Sequence, residues 1–229
     1  MAVTYVAGVS FGNAAATTLT ATLPTGWAAG DLHVWALSTA IVSTTFTLPA
    51  NYTLWATGTA STSQSAAAFY RILPAGATAS STTFTSARVA AHSLIFRGVD
   101  QANPFIGTPN VTNITTNGTT ATTTAIAGGG VGDMAVAFFQ NVLAATGGPQ
   151  TVTTPTGYTL AAAGTNPVIQ GATNVRQATS AAFYKADPGA SEQPAATLGL
   201  SANHRNFLAV LRQAGGATPG RVRTMSKRR

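Results

Sequence analysis

Apolar positions in this chain alternate in short runs and do not keep the three-to-four spacing of an amphipathic helix. Residues 31–37 set Leu32, Val34 and Ala36 against His33, Trp35 and Leu37, and residues 133–139 repeat the pattern. Both faces are largely apolar, which predicts strands buried on two sides or lying at an interface. Ala66–Ile72 and Ala181–Lys185 read as strands, each ending near a cation, with Pro74-Ala75-Gly76 and Pro188-Gly189 as the turns that follow. Val89–Arg97 and Phe207–Arg212 read as further apolar strands. The Ala-rich stretches around them lack the Glu, Lys and Leu periodicity of an exposed helix.

These elements occur twice. Gly30-Asp31-Leu32-His33-Val34 corresponds to Gly132-Asp133-Met134-Ala135-Val136, and Pro49-Ala50-Asn51-Tyr52-Thr53-Leu54 to Pro155-Thr156-Gly157-Tyr158-Thr159-Leu160. Ala67-Ala68-Phe69-Tyr70-Arg71 then matches Ala181-Ala182-Phe183-Tyr184-Lys185, and Leu94-Ile95-Phe96-Arg97 matches Ala209-Val210-Leu211-Arg212. The offset grows from 102 through 106 and 114 to 115, as a duplication with loop insertions produces. Each copy is expected to hold seven or eight short strands. The predicted fold is therefore all-β: two tandem jelly-roll-like β-sandwich lobes from an internal duplication, plus a basic C-terminal arm. The expected divisions are residues 1–104, 105–214 and 215–229. Asn117-Gly118, flanked by Thr-rich runs, predicts a hairpin turn in the second copy.

Charge changes the picture in one place. The 229 residues hold 12 Lys or Arg and 5 Asp or Glu, 7% in all, with no Cys. A disordered chain needs high charge and low hydrophobicity, whereas 45% of this one is hydrophobic, which predicts a compact core. The net charge of +7 and the isoelectric point near 10.6 suggest a nucleic-acid binder until the charges are placed. Arg221, Arg223, Lys227, Arg228 and Arg229 crowd the last nine residues, behind the flexible run Gly215-Gly216-Ala217-Thr218-Pro219-Gly220, and leave residues 1–220 at only +2. The basicity belongs to an arm suited to an acidic partner surface, and the body carries no basic stripe for specific nucleic-acid recognition.

Candidate chemistry is sparse. Asp31 and Asp133 are repeat equivalents at strand starts, where a carboxylate accepts backbone N–H groups of the preceding turn. Gly8-Val9-Ser10-Phe11-Gly12 matches the nucleophile-elbow pattern, but no helix signal follows it and the expected role is none. Gly128-Gly129-Gly130-Val131-Gly132 precedes a strand instead of opening a helix, so a dinucleotide loop is not expected. His33, His92 and His204 are too scattered in sequence for zinc, and no Asp-rich loop suits calcium. No catalytic, cofactor or metal residue is therefore predicted. Trp27, Trp35 and Trp55 are the candidate aromatics for an interface or a sugar-stacking platform, while Tyr52 and Tyr158, equivalent residues after a Pro turn, are expected to pack in the core or at an edge. Thr, Ser, Asn and Gly interrupt every apolar run, which predicts no membrane span. The start Met1-Ala2-Val3-Thr4-Tyr5 lacks the basic region of a signal peptide, which predicts no Sec export.

The block order Gly-Asp plus apolar strand, Pro-x-x-Tyr-Thr-Leu, Ala-Phe-Tyr-Arg/Lys, then Phe96-Arg97-Gly98-Val99-Asp100 with Asn103-Pro104, resembles virion structural proteins of tailed bacteriophages, particularly those of actinobacterial hosts. The resemblance spans roughly residues 25–213. Where many such proteins show Pro-x-Gly-Trp, this chain has Asn51-Tyr52 and Gly157-Tyr158. The resemblance implies a non-enzymatic β-sandwich component on the particle surface, a minor tail (tail-tip) protein or, as the alternative, a capsid decoration protein. Its partners would be other virion proteins and further copies of itself. It carries over no catalytic residue. A glycan-binding adhesion module is the reading from a different class.

Overall fold

A computed structural model of the protein describes residues 1–41, 45–60, 64–143, 149–161, 168–170 and 176–215. It is all-β, with no helix among the described residues, and its two large antiparallel sheets are consistent with two β-sandwich lobes. The first repeat supplies β1 (Thr4–Thr20), β2 (Leu32–Thr39), β3 (Thr53–Ala60), β4 (Gln64–Ile72) and β5 (Ser81–Arg97). From the second come β6 (Phe105–Thr122), the short β7 (Ile126–Ala127), β8 (Met134–Leu143), β9 (Thr159–Leu160), β10 (Val168–Gln170), β11 (Gln177–Ala186), β12 (Ser191–Glu192) and β13 (Ala195–Leu211).

Strand order makes the duplication visible in three dimensions. The first sheet runs β1-β5-β2-β4-β3 and the second β6-β13-β8-β11-β10, the same order with equivalent strands in equivalent places. β9 and β10 both pair with β11, in the place where the first repeat has the single strand β3.

Each repeat therefore has five principal positions, not seven or eight, because segments that read as separate short strands are continuous. β5 and β13 are each 17 residues long. Their N-terminal halves alternate exposed and buried residues and their C-terminal halves are almost wholly buried. The expected hairpin at Asn117-Gly118 is likewise replaced: both residues lie inside β6, and Gly118 pairs with Ala202 between two register shifts. An Asn-Gly pair supports a turn only if the strand reverses. Here β6 continues, and the glycine sits where its partner bulges.

Turns are where the two copies agree most closely. Tyr52 N–H donates to Pro49 O at 3.0 Å and Tyr158 N–H to Pro155 O at 3.0 Å. The residue before each tyrosine is left-handed, Asn51 at φ 65° and Gly157 at φ 78°. Asn is among the side chains that tolerate this region, which explains how one copy dispenses with glycine. Asp31 Oδ2 accepts from Ala28 N–H at 2.7 Å and Asp133 Oδ2 from Gly130 N–H at 2.8 Å, the capping role expected of the equivalent pair.

Among the described residues there are three large apolar cores, besides a small cluster of Ala40, Ala90, Val142 and Ala178. Trp35, Leu37, Phe69, Phe84 and Val89 form one on the far side of the first sheet, and Phe139, Leu143, Phe183, Leu198 and Leu208 form its counterpart on the second. The remaining one lies between the sheets and combines Leu32, Val34, Trp55, Leu94 and Phe96 with Met134, Val136, Phe138, Phe207 and Leu211. The strong burial of β2 and β8 on both faces follows, as their sequence pattern predicted: each faces its own lobe on one side and the other lobe on the opposite side.

Candidate functional site

The contact between the lobes is the most elaborate feature of the molecule, and it has the pattern of a twofold axis within one chain. β2 faces β8, β5 faces β11 as β4 faces β13, and β3 faces β6 as β1 faces β10. An isologous dimer exchanges its surfaces in this way. Side chains follow the same exchange: Tyr5 stacks on Tyr184 with centroids 4.5 Å apart, and Phe105 meets Tyr70 edge-on at 4.8 Å. Trp55 packs against Phe105, Phe138 and Phe207 at 5.7–6.3 Å.

One end of this contact is apolar and the other is a buried polar row. Gln64 Nε2 donates to Ser38 Oγ at 3.1 Å and to Gln140 O at 3.0 Å, and Ser38 Oγ donates to Asn141 O at 3.3 Å. Gln140 Nε2 donates to Ser180 Oγ at 2.9 Å, and His92 Nδ1 lies 2.9 Å from the same hydroxyl. Two apolar faces can slide over one another at small cost, but hydrogen bonds between fixed positions fix one alignment.

Each lobe also buries the hydroxyl of its turn tyrosine by different chemistry. In the first, Tyr52 OH meets His33 Nδ1, Ser93 Oγ meets His33 Nε2, and the Arg71 guanidinium stands 4.9 Å over the tyrosine ring. Burial, helped by the charge of Arg71, pushes His33 down to about 3, so the imidazole is neutral and one ring nitrogen donates while the other accepts. The second lobe has Ala135 and Leu208 at the positions of His33 and Ser93. There Tyr158 OH donates to Glu192 Oε2 at 2.9 Å, while Lys185 Nζ and Gly189 N–H donate to Glu192 Oε1 at 2.7 and 2.8 Å. Replacing Glu192 by Ala removes the acceptor for all three donors and is expected to cost about 2 kcal/mol, read from urea unfolding midpoints; Glu192→Gln should lose less. Sequence reading missed Glu192 because the two side chains that it binds are 34 and 7 positions away.

The predicted aromatics divide. Trp35 is fully buried in the first lobe's own core and Trp55 is 8% exposed between the lobes. Neither face is open to stack on a sugar ring, which corrects the platform expectation for both residues; Trp27 alone of the three stays partly exposed. Trp55 does serve an interface, but an internal one. Arg221, Arg223, Lys227, Arg228 and Arg229 lie outside the described residues. Ser10 is the cross-strand partner of His92, yet it sits in mid-strand and lacks the strand-to-helix turn that presents a nucleophile. Among the described residues no three His, Asp or Glu side chains are placed to hold a metal ion, and no helix is long and apolar enough to cross a membrane.

The outer edges of the sheets bear on function more directly. Among the described strands β1 and β3 end one sheet, and β6 and β10 end the other. None of the four contains a charged residue, and only β6 contains a proline, Pro109. Edge strands normally carry charge or proline to prevent pairing with another chain; here bulges in β1 and in the β6–β13 ladder are the main guard. No known protein family, curated protein or solved structure matches this chain.

Proposed function

We propose that the chain is a non-enzymatic structural subunit that works by assembling, and that its assembly is the surface of a bacteriophage particle, most concretely the tail tip. The observation that carries the assembly reading is the set of uncharged edge strands, 17 residues long in β1 and 18 in β6, on a body with so few charges to desolvate. The phage assignment rests on the resemblance of the repeat blocks. A duplicated body presents two similar edges in a fixed relation, which suits attachment to a ring or lattice.

The test is the position of the protein in a whole-particle reconstruction. Density at the tail tip supports the proposal, density on the capsid lattice favours the decoration role, and absence from purified particles overturns both. The basic arm is proposed to clamp an acidic patch on a neighbouring subunit. Deleting residues 216–229 should then reduce incorporation several-fold, measured by quantitative mass spectrometry of purified particles. Unchanged occupancy would remove the clamp while leaving the assembly reading intact.

A further inference from the structure

Asn117-Gly118 carries a hairpin signal and forms no hairpin, and its surroundings give it another role. Before it, Ile114 pairs with His204 while Gly118 pairs with Ala202, so Thr115, Thr116 and Asn117 stand opposite the single residue Asn203. After it, the next pair is Thr120 with Thr197, which sets Thr119 against residues 198–201 of β13. Gly118 is a lone rung between two breaks in the ladder, and Asn117 has no rung of its own. Asn117 is exposed, and a Cβ built on Gly118 would meet nothing within 4 Å, so water reaches the pair.

Of the asparagines in this chain, Asn117 alone precedes glycine; the others precede Ala, Tyr, Pro, Val, Ile, His or Phe. That difference is chemical. The backbone nitrogen of the following residue can attack an asparagine side-chain amide, and a side chain on that residue obstructs the approach; glycine has none. Asn13 and Asn110 are held besides: Asn13 Oδ1 accepts from Ala15 N–H at 2.9 Å, and Asn110 Nδ2 donates to Thr124 O at 3.0 Å.

We infer that Asn117 is a self-modifying site, converted to a carboxylate with water as the only co-reactant. The Gly118 nitrogen gives its proton to solvent base and bonds to Asn117 Cγ. The Cγ–Nδ2 bond breaks, Nδ2 takes up a proton and leaves as ammonia, and a five-membered succinimide remains. Water then opens the ring. Cleavage at Cγ gives aspartate; cleavage at the main-chain carbonyl gives isoaspartate, with the backbone running through Cγ. Nothing is oxidised or reduced. β6 has no charge before the reaction and one negative charge after it, on the outer edge of its sheet. Charge on an edge strand guards against pairing with another chain, so the reaction closes the β6 edge with time. This consequence rests on the proposed use of that edge in assembly; the modification itself does not.

The experiment incubates the full chain, folded and in denaturing urea, from pH 6 to pH 9. Peptide mass spectrometry follows Asn117, with electron-transfer fragmentation to separate aspartate from isoaspartate. Conversion in the folded protein should stay within several-fold of the rate in urea, rise with pH and yield both products. Gly118→Ala should slow it several-fold, and the same variant in urea reads the need for glycine even if it fails to fold. Near-complete protection of Asn117 in the folded protein, equal conversion at Asn13 or Asn113, or aspartate as the sole product overturns the inference. For the edge, the occupancies of Asn117→Asp and Asn117→Ser in purified particles are compared. Several-fold lower occupancy of Asn117→Asp supports the guard, and equal occupancy overturns the guard but not the modification. Absence of the unsubstituted chain from particles overturns the assembly reading alone.

Discussion

Trp55→Ala should destabilise the protein by about 3–5 kcal/mol, the upper range for removing a buried aromatic side chain. Trp55 belongs to β3 of the first repeat, yet two of its three aromatic neighbours, Phe138 and Phe207, come from strands β8 and β13 of the second sheet, and the third, Phe105, is partly buried on β6. Its loss opens a cavity shared by both lobes, with rigid β-sheet on either side and little chance of collapse. Urea unfolding followed by tryptophan fluorescence and by far-UV circular dichroism measures the change. A single transition moving as a whole is expected for both probes, because the affected core is common to both lobes. Trp27→Ala, at a partly exposed site, should stay within about 1 kcal/mol. Equal effects at the two sites would mean that the lobe contact contributes little.

Acid should destabilise the fold through its buried histidines. In the unfolded chain His33 and His204 take up protons near pH 6.5, whereas in the folded protein burial delays this to about 3 for His33 and about 4 for His204, with the charges of Arg71 and Arg205 acting in the same direction. Between these values the unfolded chain binds more protons, so stability is complete above pH 6.5 and falls as pH is lowered. The loss is about 1.4 kcal/mol for each pH unit that each histidine spends inside its window, several kcal/mol in all by pH 4. Urea midpoints from pH 8 to pH 4 measure it, and His204→Gln should flatten part of the slope. A profile flat to pH 4 would mean that the two imidazoles are solvated. At the alkaline end, burial pushes Tyr5 and Tyr52 up to about 12 and Tyr158 higher still, so the unfolded chain loses protons first and stability should fall again above pH 10.

What could be read from the sequence and what could not divide by the range of the interactions. The Pro-x-x-Tyr and Gly-Asp turns were legible because their hydrogen bonds close within three residues and recur in both copies. The two-sided burial of residues 32–38 was legible from their pattern, though not what covers each side. The length of β6 was hidden by Thr, Asn and Gly, residues that serve as punctuation in most chains and as ordinary strand positions in this one. Trp55 looked available for a ligand because its cover comes from strands roughly 50 to 150 residues downstream.

The ladder order carries a further consequence, for the way the chain reaches its fold. In each repeat the first strand pairs with the last: Thr4 with Arg97 in one, Phe105 with Leu211 in the other. Neither sheet can close until nearly its whole repeat has been synthesised, and contacts this distant along the chain make folding slow, on the order of milliseconds to seconds. During that interval β1 waits beside the ribosome as 17 uncharged residues without a partner. With neither charge nor proline, β1 is open through that interval to pairing with a neighbouring nascent chain.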